Sequence, residues 1–553
     1  MIKNCLLTII LLSSFTFLNA QNRYVIRFAD RTNSPFTITQ PHQYLSQRAI
    51  DRRNRYNIAI ELNDLPVNPN YVQGVAATGA TILNISKWFN AVIIETLNPN
   101  VLNAISLLPY VINTTNVGRH ALQNVVPVKN KFDDEYQQIL KNAANKTAPF
   151  NYNHAFNQIS MIGLDGLHNL GFAGDGMIIA VLDAGFKDAN LMSCFDSLFL
   201  QNRIISTYDF VNHETNVYND NYHGASVLSC MAANVPGEFI GTAPHASYIL
   251  LVSEDAATEN IIEEYNWSVA AEYADSSGAD VINTSLGYTT FDISANDHTR
   301  ADMNGNTCPA SIAADIAAKK GILVVASAGN EGVSPWHYIG SPADADSILA
   351  VGAVDSLGQY AYFSSAGPSV DGRVKPDVAD QGYQTWLYVP GNPNPQTGNG
   401  TSFSGPVLAG AAACLWQAWP AFNNMRIIDA IKRSASQYAN PDSLLGYGIP
   451  NFSFANNLLN LTGYTIPDNE VMHLFPNPWN GTDPLNIFFK SDSSQKAELT
   501  ITEMSGKIVL RKYPQLIGGG FTHLILKENI ASGMYLVSIK STDGTFVKRF
   551  VRR

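Results

Sequence analysis

The chain has 553 residues, 46% of them hydrophobic and only 15% charged, which is enough apolar matter for several packed cores and too little charge for long disordered stretches. A formal net charge of −11 excludes nucleic acid as an expected partner. Residues 1–20 carry Lys3, an apolar run from Leu6 to Phe17 and then Asn19-Ala20. That order predicts a secretory signal peptide, too short and too serine-broken for a membrane span. No later run is long and apolar enough to cross a bilayer, so the mature protein is expected to be soluble or surface-attached. With Cys5 lost, Cys194, Cys230, Cys308 and Cys414 remain, and sequence alone does not choose among their pairings. Cys230 and Cys414 read as small core hydrophobes, while Cys194–Cys308 is the bridge left open.

Residues 21–122 read as an α/β unit. Arg23 to Phe28 places Tyr24, Ile26 and Phe28 on one face of a strand, and Gln43 to Tyr56 is a basic helix with Arg48, Arg52, Arg53 and Arg55. Thr81 to Ile85 and Ala91 to Ile94 suit paired strands, Leu102 to Leu108 a short helix, and a last strand follows near Val111. Residues 123–151 are polar and mixed, an exposed connection and the natural place for a maturation cut. From 152 to 462 strands and helices alternate, as in an α/β domain on a parallel sheet. Met177 to Leu182, Tyr248 to Val252, Val281 to Asn283, Ile322 to Ala326 and Ile348 to Val354 are nearly all apolar, as strands buried on both faces are. Glu259 to Tyr273 and Pro309 to Lys319 read as helices between them. Residues 463–553 turn to short strands, Ala497 to Thr502, Lys507 to Leu510, Thr522 to Leu526, Met534 to Lys540 and Thr545 to Val551, divided by Ser505-Gly506, Gly518-Gly519-Gly520 and Asp543-Gly544. That pattern predicts a small β-sandwich.

Three residues in the order Asp183, His223, Ser402 carry the chemistry. Asp183 closes a buried strand, where open α/β sheets bind ligands, and a shielded carboxylate there can orient an imidazole. His223 opens His223-Gly224-Ala225-Ser226-Val227-Leu228-Ser229; if this begins a helix, Val227, Cys230 and Met231 anchor it in the core. Ser402 lies in Gly400-Thr401-Ser402-Phe403-Ser404-Gly405-Pro406, a small-residue turn entering an apolar helix, where a nucleophilic hydroxyl has backbone N–H groups nearby. Asn330, after Ser327-Ala328-Gly329, can donate its amide to an oxyanion. Ser404 replaces the second glycine of a Gly-x-Ser-x-Gly elbow, and the residue order also disfavours an α/β-hydrolase lipase or esterase.

The motifs around Asp183, His223, Asn330 and Ser402, with Ala350-Val351-Gly352-Ala353-Val354-Asp355, resemble the subtilisin-like serine peptidases from Ile178 to about Trp419. The resemblance implies an α/β, subtilisin-like parallel sheet flanked by helices, and an exported endopeptidase. Ser402 would attack, His223 shuttle the proton, Asp183 orient the histidine, and Asn330 with the Ser402 N–H hold the oxyanion. It also implies a substrate-pairing segment at Ser285, Leu286 and Gly287, and a primary pocket lined by Ser327, Ala328, Gly329 and Gly340. That pocket has room for a large apolar side chain, and no acid in it obviously calls for lysine or arginine. Ser404-Gly405-Pro406-Val407-Leu408 departs from the family's Ala-Ser-Pro-His-Val, which puts helix packing in question. Trp88-Phe89-Asn90-Ala91-Val92 and Leu107-Leu108-Pro109-Tyr110-Val111 resemble the family's N-terminal propeptide, an intramolecular inhibitor. Leu474-Phe475-Pro476-Asn477-Pro478, Gly533-Met534-Tyr535 and the basic end Arg552-Arg553 resemble the C-terminal sorting domain of type IX secretion. Export through the outer membrane, to the medium or the cell surface, follows from it. The chemistry calls for no cofactor; a structural calcium is an expectation, with Asp302, Asn304 and Asn306 alternating like ligands but lacking the glycine and distal glutamate of a calcium loop. The other reading, an inactive binding or adhesion protein on this fold, needs a broken triad, and all three residues are present.

Overall fold

The computed structural model describes residues 22–119, 130–136, 150–460, 471–475, 477–479, 485–491, 495–516, 520–526 and 530–553. The signal segment and the remainder of the 123–151 connection lie outside the described residues. In the N-terminal unit, β1 (Asn22–Phe28), β2 (Thr81–Ser86), β3 (Ala91–Thr96) and β4 (Val111–Arg119) pair antiparallel in the order β2-β3-β1-β4. Strand alternation splits this sheet. Ile26, Phe28, Val92 and Ile94 face α2 (Pro69–Ala76) and α3 (Pro99–Ser106) in one core. Val25, Ala91 and Ile93 point the other way and join a core of the following domain.

The basic helix starts later than expected: α1 is Gln47–Tyr56, capped by Ser46, whose hydroxyl accepts the Ala49 N–H. It docks on a helix of the next domain through buried charges. Asp275 takes Arg52 at 2.5 Å and Arg53 at 2.9 Å, with Lys87 at 3.4 Å. Burial alone would raise the Asp275 carboxyl, but Lys87, Arg53 and Arg52 hold it well below the usual carboxylate range. Its contribution is therefore complete above the ordinary carboxylate pKa and lost only as pH falls through the depressed value. Asp275→Ala strands these cations and is expected to cost about 3–5 kcal/mol in the first urea transition of the full chain at pH 7. A loss under about 1 kcal/mol would count against a docked N-terminal unit.

The central domain is built on seven strands: β5 (Ile178–Asp183), β6 (Ile204–Asp209), β7 (Ser247–Val252), β8 (Val281–Thr284), β9 (Leu323–Ser327), β10 (Leu349–Val354) and β11 (Val378–Gln381). They are all parallel, in the order β11-β10-β9-β8-β5-β7-β6. Ile179, Val181 and Leu250 pack under α4 (His223–Ala232) and α7 (Thr401–Ala418). Their neighbours Ala180, Leu182 and Leu251 pack under α5 (Ile262–Ser277) and α6 (Pro309–Lys319). Both faces are covered, which is why these strands read as unbroken apolar runs.

In the C-terminal unit, β12 (Met472–Phe475), β13 (Leu485–Ser491) and β16 (Gly520–Leu526) form one sheet. The other runs β15-β14-β17-β18, from β14 (Glu498–Glu503), β15 (Ile508–Lys512), β17 (Gly533–Ser541) and β18 (Gly544–Arg552). Ile487 and Phe489 of the first share a core with Ile501, Val537 and Phe550 of the second, which makes a β-sandwich.

Cys194 and Cys308 are free and buried, as are Cys230 and Cys414. In the described part of the connection Lys131, Asp133 and Asp134 are exposed, while Phe132 and Glu135 turn inward and are only 6% and 8% exposed. The loop that carries Asp302, Asn304 and Asn306 spends their side chains locally. Asp302 caps a short turn through Thr299, and Asn304 bonds Ala301 and Thr307.

Candidate active site

Asp183 ends β5 with its carboxylate fully buried, and Oδ1 accepts both the Ala184 N–H at 2.8 Å and the His223 Nδ1 proton at 2.7 Å. Helix α4 begins at His223, whose own N–H is taken by Asn221 Oδ1 at 2.8 Å. Gly224 makes the approach feasible, since a Cβ there would meet the Gly185 carbonyl at 2.4 Å and Asp183 Cβ at 2.9 Å. Val227, Cys230 and Met231 are fully buried beneath it.

Ser402 is the second residue of the 18-residue α7, at the positive end of its dipole. Pro406, four residues on, has no N–H, so the Ser402 carbonyl lacks its usual helical donor. Ser285 Oγ supplies one at 2.9 Å, tying the end of β8 to the start of α7. Val407 and Leu408 are fully buried, so the departure after Ser402 packs as a core helix.

Asn330 follows Gly329, whose φ of +105° suits glycine and whose Cβ would meet Ser365 Oγ at 2.7 Å. Asn330 Oδ1 accepts the Thr401 N–H at 2.9 Å and the Thr401 hydroxyl at 3.0 Å. With the oxygen so held, the amide N–H₂ is left to donate, and it does so to Glu135 Oε1. Leu286 is buried and Gly287 exposed beyond β8, which ends at Thr284. Ser327 and Ala328 are buried at the end of β9, and Gly340 packs on Thr289 and Tyr288, where a Cβ would meet Thr289 Cγ2 at 2.8 Å.

One carboxylate from the N-terminal connection occupies the point where these groups converge. Glu135 Oε1 accepts from Ser402 Oγ at 3.0 Å and from Asn330 Nδ2 at 2.9 Å, and Oε2 meets His223 Nε2 at 3.1 Å. The Glu135 carbonyl accepts the Asn399 N–H at 2.7 Å, Tyr136 bridges to Gly398, and the Phe132 ring stacks on the imidazole at 3.9 Å. Burial alone would lower the His223 pKa, but Asp183 on one side and Glu135 on the other lift it to about 10. The ring is therefore an imidazolium between two carboxylates. Sequence reading did not find Glu135; the only signal was Phe132-Asp133-Asp134-Glu135-Tyr136, an aromatic and acidic run inside a polar connection.

A parallel sheet covered on both faces, with an aspartate, a histidine and a serine joined at its carboxyl edge, defines the class of the subtilisin-like proteins. Residues 174–448 match the subtilase family, peptidase S8. Residues 23–134 match the peptidase S8 propeptide domain of Bacteroidota, and residues 473–553 the secretion system C-terminal sorting domain. Subtilisin from Bacillus pumilus is 33% identical over 301 residues, 54% of this chain and 97% of that protein. Subtilisin E from Bacillus subtilis is 34% identical over 286 residues, 51% of this chain and 66% of that protein, just short of two thirds of its length. The solved structure of MycP1 from the ESX-1 type VII secretion system aligns with a TM-score of 0.44 at 22% identity, over 63% of this chain and 96% of that one. The chain belongs to the subtilase family, peptidase S8. It carries both the family's propeptide domain and a C-terminal secretion sorting domain, and no helix among the described residues is long and apolar enough to cross a membrane.

Proposed function

We propose that the protein is a secreted serine endopeptidase made as a self-blocked precursor. The observation that carries this is the meeting of Ser402 Oγ, Asn330 Nδ2 and His223 Nε2 on one carboxylate, with Asp183 behind the histidine. A carboxylate held there marks the place of a tetrahedral oxyanion. In the reaction Ser402 Oγ attacks the peptide carbonyl carbon and passes its proton to His223 Nε2. Asp183 orients and stabilises the imidazolium, while Asn330 and the Ser402 N–H hold the oxyanion. The C–N bond then breaks as His223 protonates the leaving amine, and water hydrolyses the ester by the same route reversed. These steps need no cofactor, and a calcium ion would serve structure alone. Ser285, Leu286 and Gly287 would pair with an extended substrate, and the recess at Ser327, Ala328, Gly329 and Gly340 would take a large apolar side chain.

Residues 130–136 act as a strap, and the propeptide match ends at residue 134, next to Glu135. The N-terminal unit is thus the intramolecular inhibitor, with a cut within 123–151 releasing it, and the C-terminal unit addresses the chain to a secretion machinery. Localisation outside the cell or on its surface follows.

A fluorophosphonate probe tests this on the full chain, because Ser402 Oγ bonds phosphorus as fluoride leaves. Glu135→Ala removes the plug and its charge-assisted bonds, of about 1.5–3 kcal/mol each, so labelling at Ser402 is expected to be about 10- to 100-fold faster than in the wild type. Asp183 raises His223 with or without the strap, and Glu135 adds to that rise in the closed form, so the strap's grip is full below the His223 pKa of the open form and is lost as pH rises towards about 10. The gap between variant and wild type should close over that window. Equal labelling at all pH values would overturn the strap.

A further inference from the structure

Beside the catalytic centre, Glu254, Glu259 and Glu263 bring their carboxylate oxygens within 4.8 Å of one another. Glu254 and Glu263 are each 1% exposed, a costly arrangement for acids unless a cation sits among them. Glu254 Oε2 accepts from the Tyr288 hydroxyl at 2.9 Å and Glu263 Oε1 from Thr258 at 3.1 Å. Glu259 Oε1 and Glu263 Oε2 are buried with no hydrogen-bond donor among the described residues. One cation enters the recess, and it comes from the strap: the Lys131 ammonium bonds Glu254 and, at 2.7 Å, Glu259. Burial pushes the Glu263 carboxyl well up even so, despite the opposing pull of Lys131.

The strap crosses the site in one direction. Lys131 fills the acidic recess, Phe132 covers the imidazole, Glu135 reaches Ser402, and Tyr136 pairs beyond it with Gly398. When the strap leaves, the recess keeps its acids and loses its ammonium. We infer that Glu254, Glu259 and Glu263 form a substrate subsite for a lysine or arginine side chain on the N-terminal side of the cleaved bond. This rests on the reading of Ser402 as the nucleophile and adds to it a second selectivity, separate from the apolar primary pocket. A calcium ion fits the recess less well, because it asks for six to eight oxygens, whereas a single side-chain ammonium is what the recess already holds.

The test uses the full-length chain, incubated until its hydrolysis of an uncharged peptide is constant. Matched quenched peptides carry lysine or acetyl-lysine two, three or four residues before the cleaved bond. Lysine is expected to raise kcat/KM at one of these positions by about tenfold or more. Glu259→Gln should reduce that ratio and Glu259→Lys reverse it; Glu259 is partly exposed, so both chains should fold. Using the ratio within each variant removes any change in overall activity. Fluorophosphonate titration counts working Ser402. Titratable enzyme that ignores lysine overturns the subsite and leaves the peptidase reading intact, whereas no titration and no hydrolysis overturns both. If lysine has no effect and millimolar calcium raises the Tm of the wild type but not of Glu259→Gln, the recess is a cation site and the inference fails.

Discussion

Ser402→Ala is expected to lower peptide turnover by about 10⁶-fold, the magnitude established for the equivalent loss in subtilisin. Ser402 is 4% exposed, and the change removes only Oγ, whose hydrogen bond goes to Glu135 and not to the fold. Its carbonyl remains bonded to Ser285, so α7 keeps its start and the Tm of the full chain should stay within a degree or two of the wild type. Activity and stability therefore separate, which a structural serine would not allow. Intact mass gives the cleanest reading. After incubation at neutral pH the wild-type chain should lose a segment ending within residues 122–151, while the variant stays whole. Peptide hydrolysis retained by the variant would sink the assignment of Ser402. A wild-type chain that also stays whole, yet labels with fluorophosphonate, would mean that another protease makes the cut.

What the sequence could reveal follows from where each residue gets its partners. Ile178–Asp183 and Leu349–Val354 are buried on both faces, so their apolar runs announce strands without further help. Ile204–Asp209 and Val378–Gln381 did not, and they are the two edges of the sheet. One carries Ser206, Thr207 and Asp209 with a register shift, the other has only four residues. Neither gives a period long enough to read. At the site, Asp183, His223, Asn330 and Ser402 each sit in a local setting of small residues that the close packing itself demands, as Gly224 and Gly329 illustrate. Glu135 has no such setting, because nothing near it in sequence reports that the chain will lie across α4 and α7. The acids at 254, 259 and 263 were hidden for the same reason. Two of them belong to a loop and one to the first turn of α5, and each reads as an ordinary surface charge until Lys131 is seen among them. Ser327, Ala328, Gly329 and Gly340, the residues the sequence suggests for a primary pocket, gave no hint of them.

Asp183→Asn is expected to cost about 10⁴-fold in turnover, less than loss of the serine but more than loss of any single oxyanion donor. The Ala184 N–H points at Oδ1, so an asparagine will keep its oxygen there and place its N–H₂ at Oδ2, which is buried with no donor among the described residues. The His223 Nδ1 proton then still has an acceptor at 2.7 Å in the native geometry, and the ring should not turn. What disappears is the charge. Burial lowers the His223 pKa, and Asp183 is the first of the groups that oppose it. Without that carboxylate the imidazolium formed when Ser402 gives up its proton has lost its main stabiliser, so the barrier rises even though the geometry survives. The pH profile separates this from mere misfolding. In chains that also carry Glu135→Ala, the acid limb of kcat/KM should move to lower pH in Asp183→Asn, since a histidine that no longer gains from Asp183 deprotonates earlier. An unchanged acid limb, with turnover reduced, would place the role of Asp183 in orientation and not in charge.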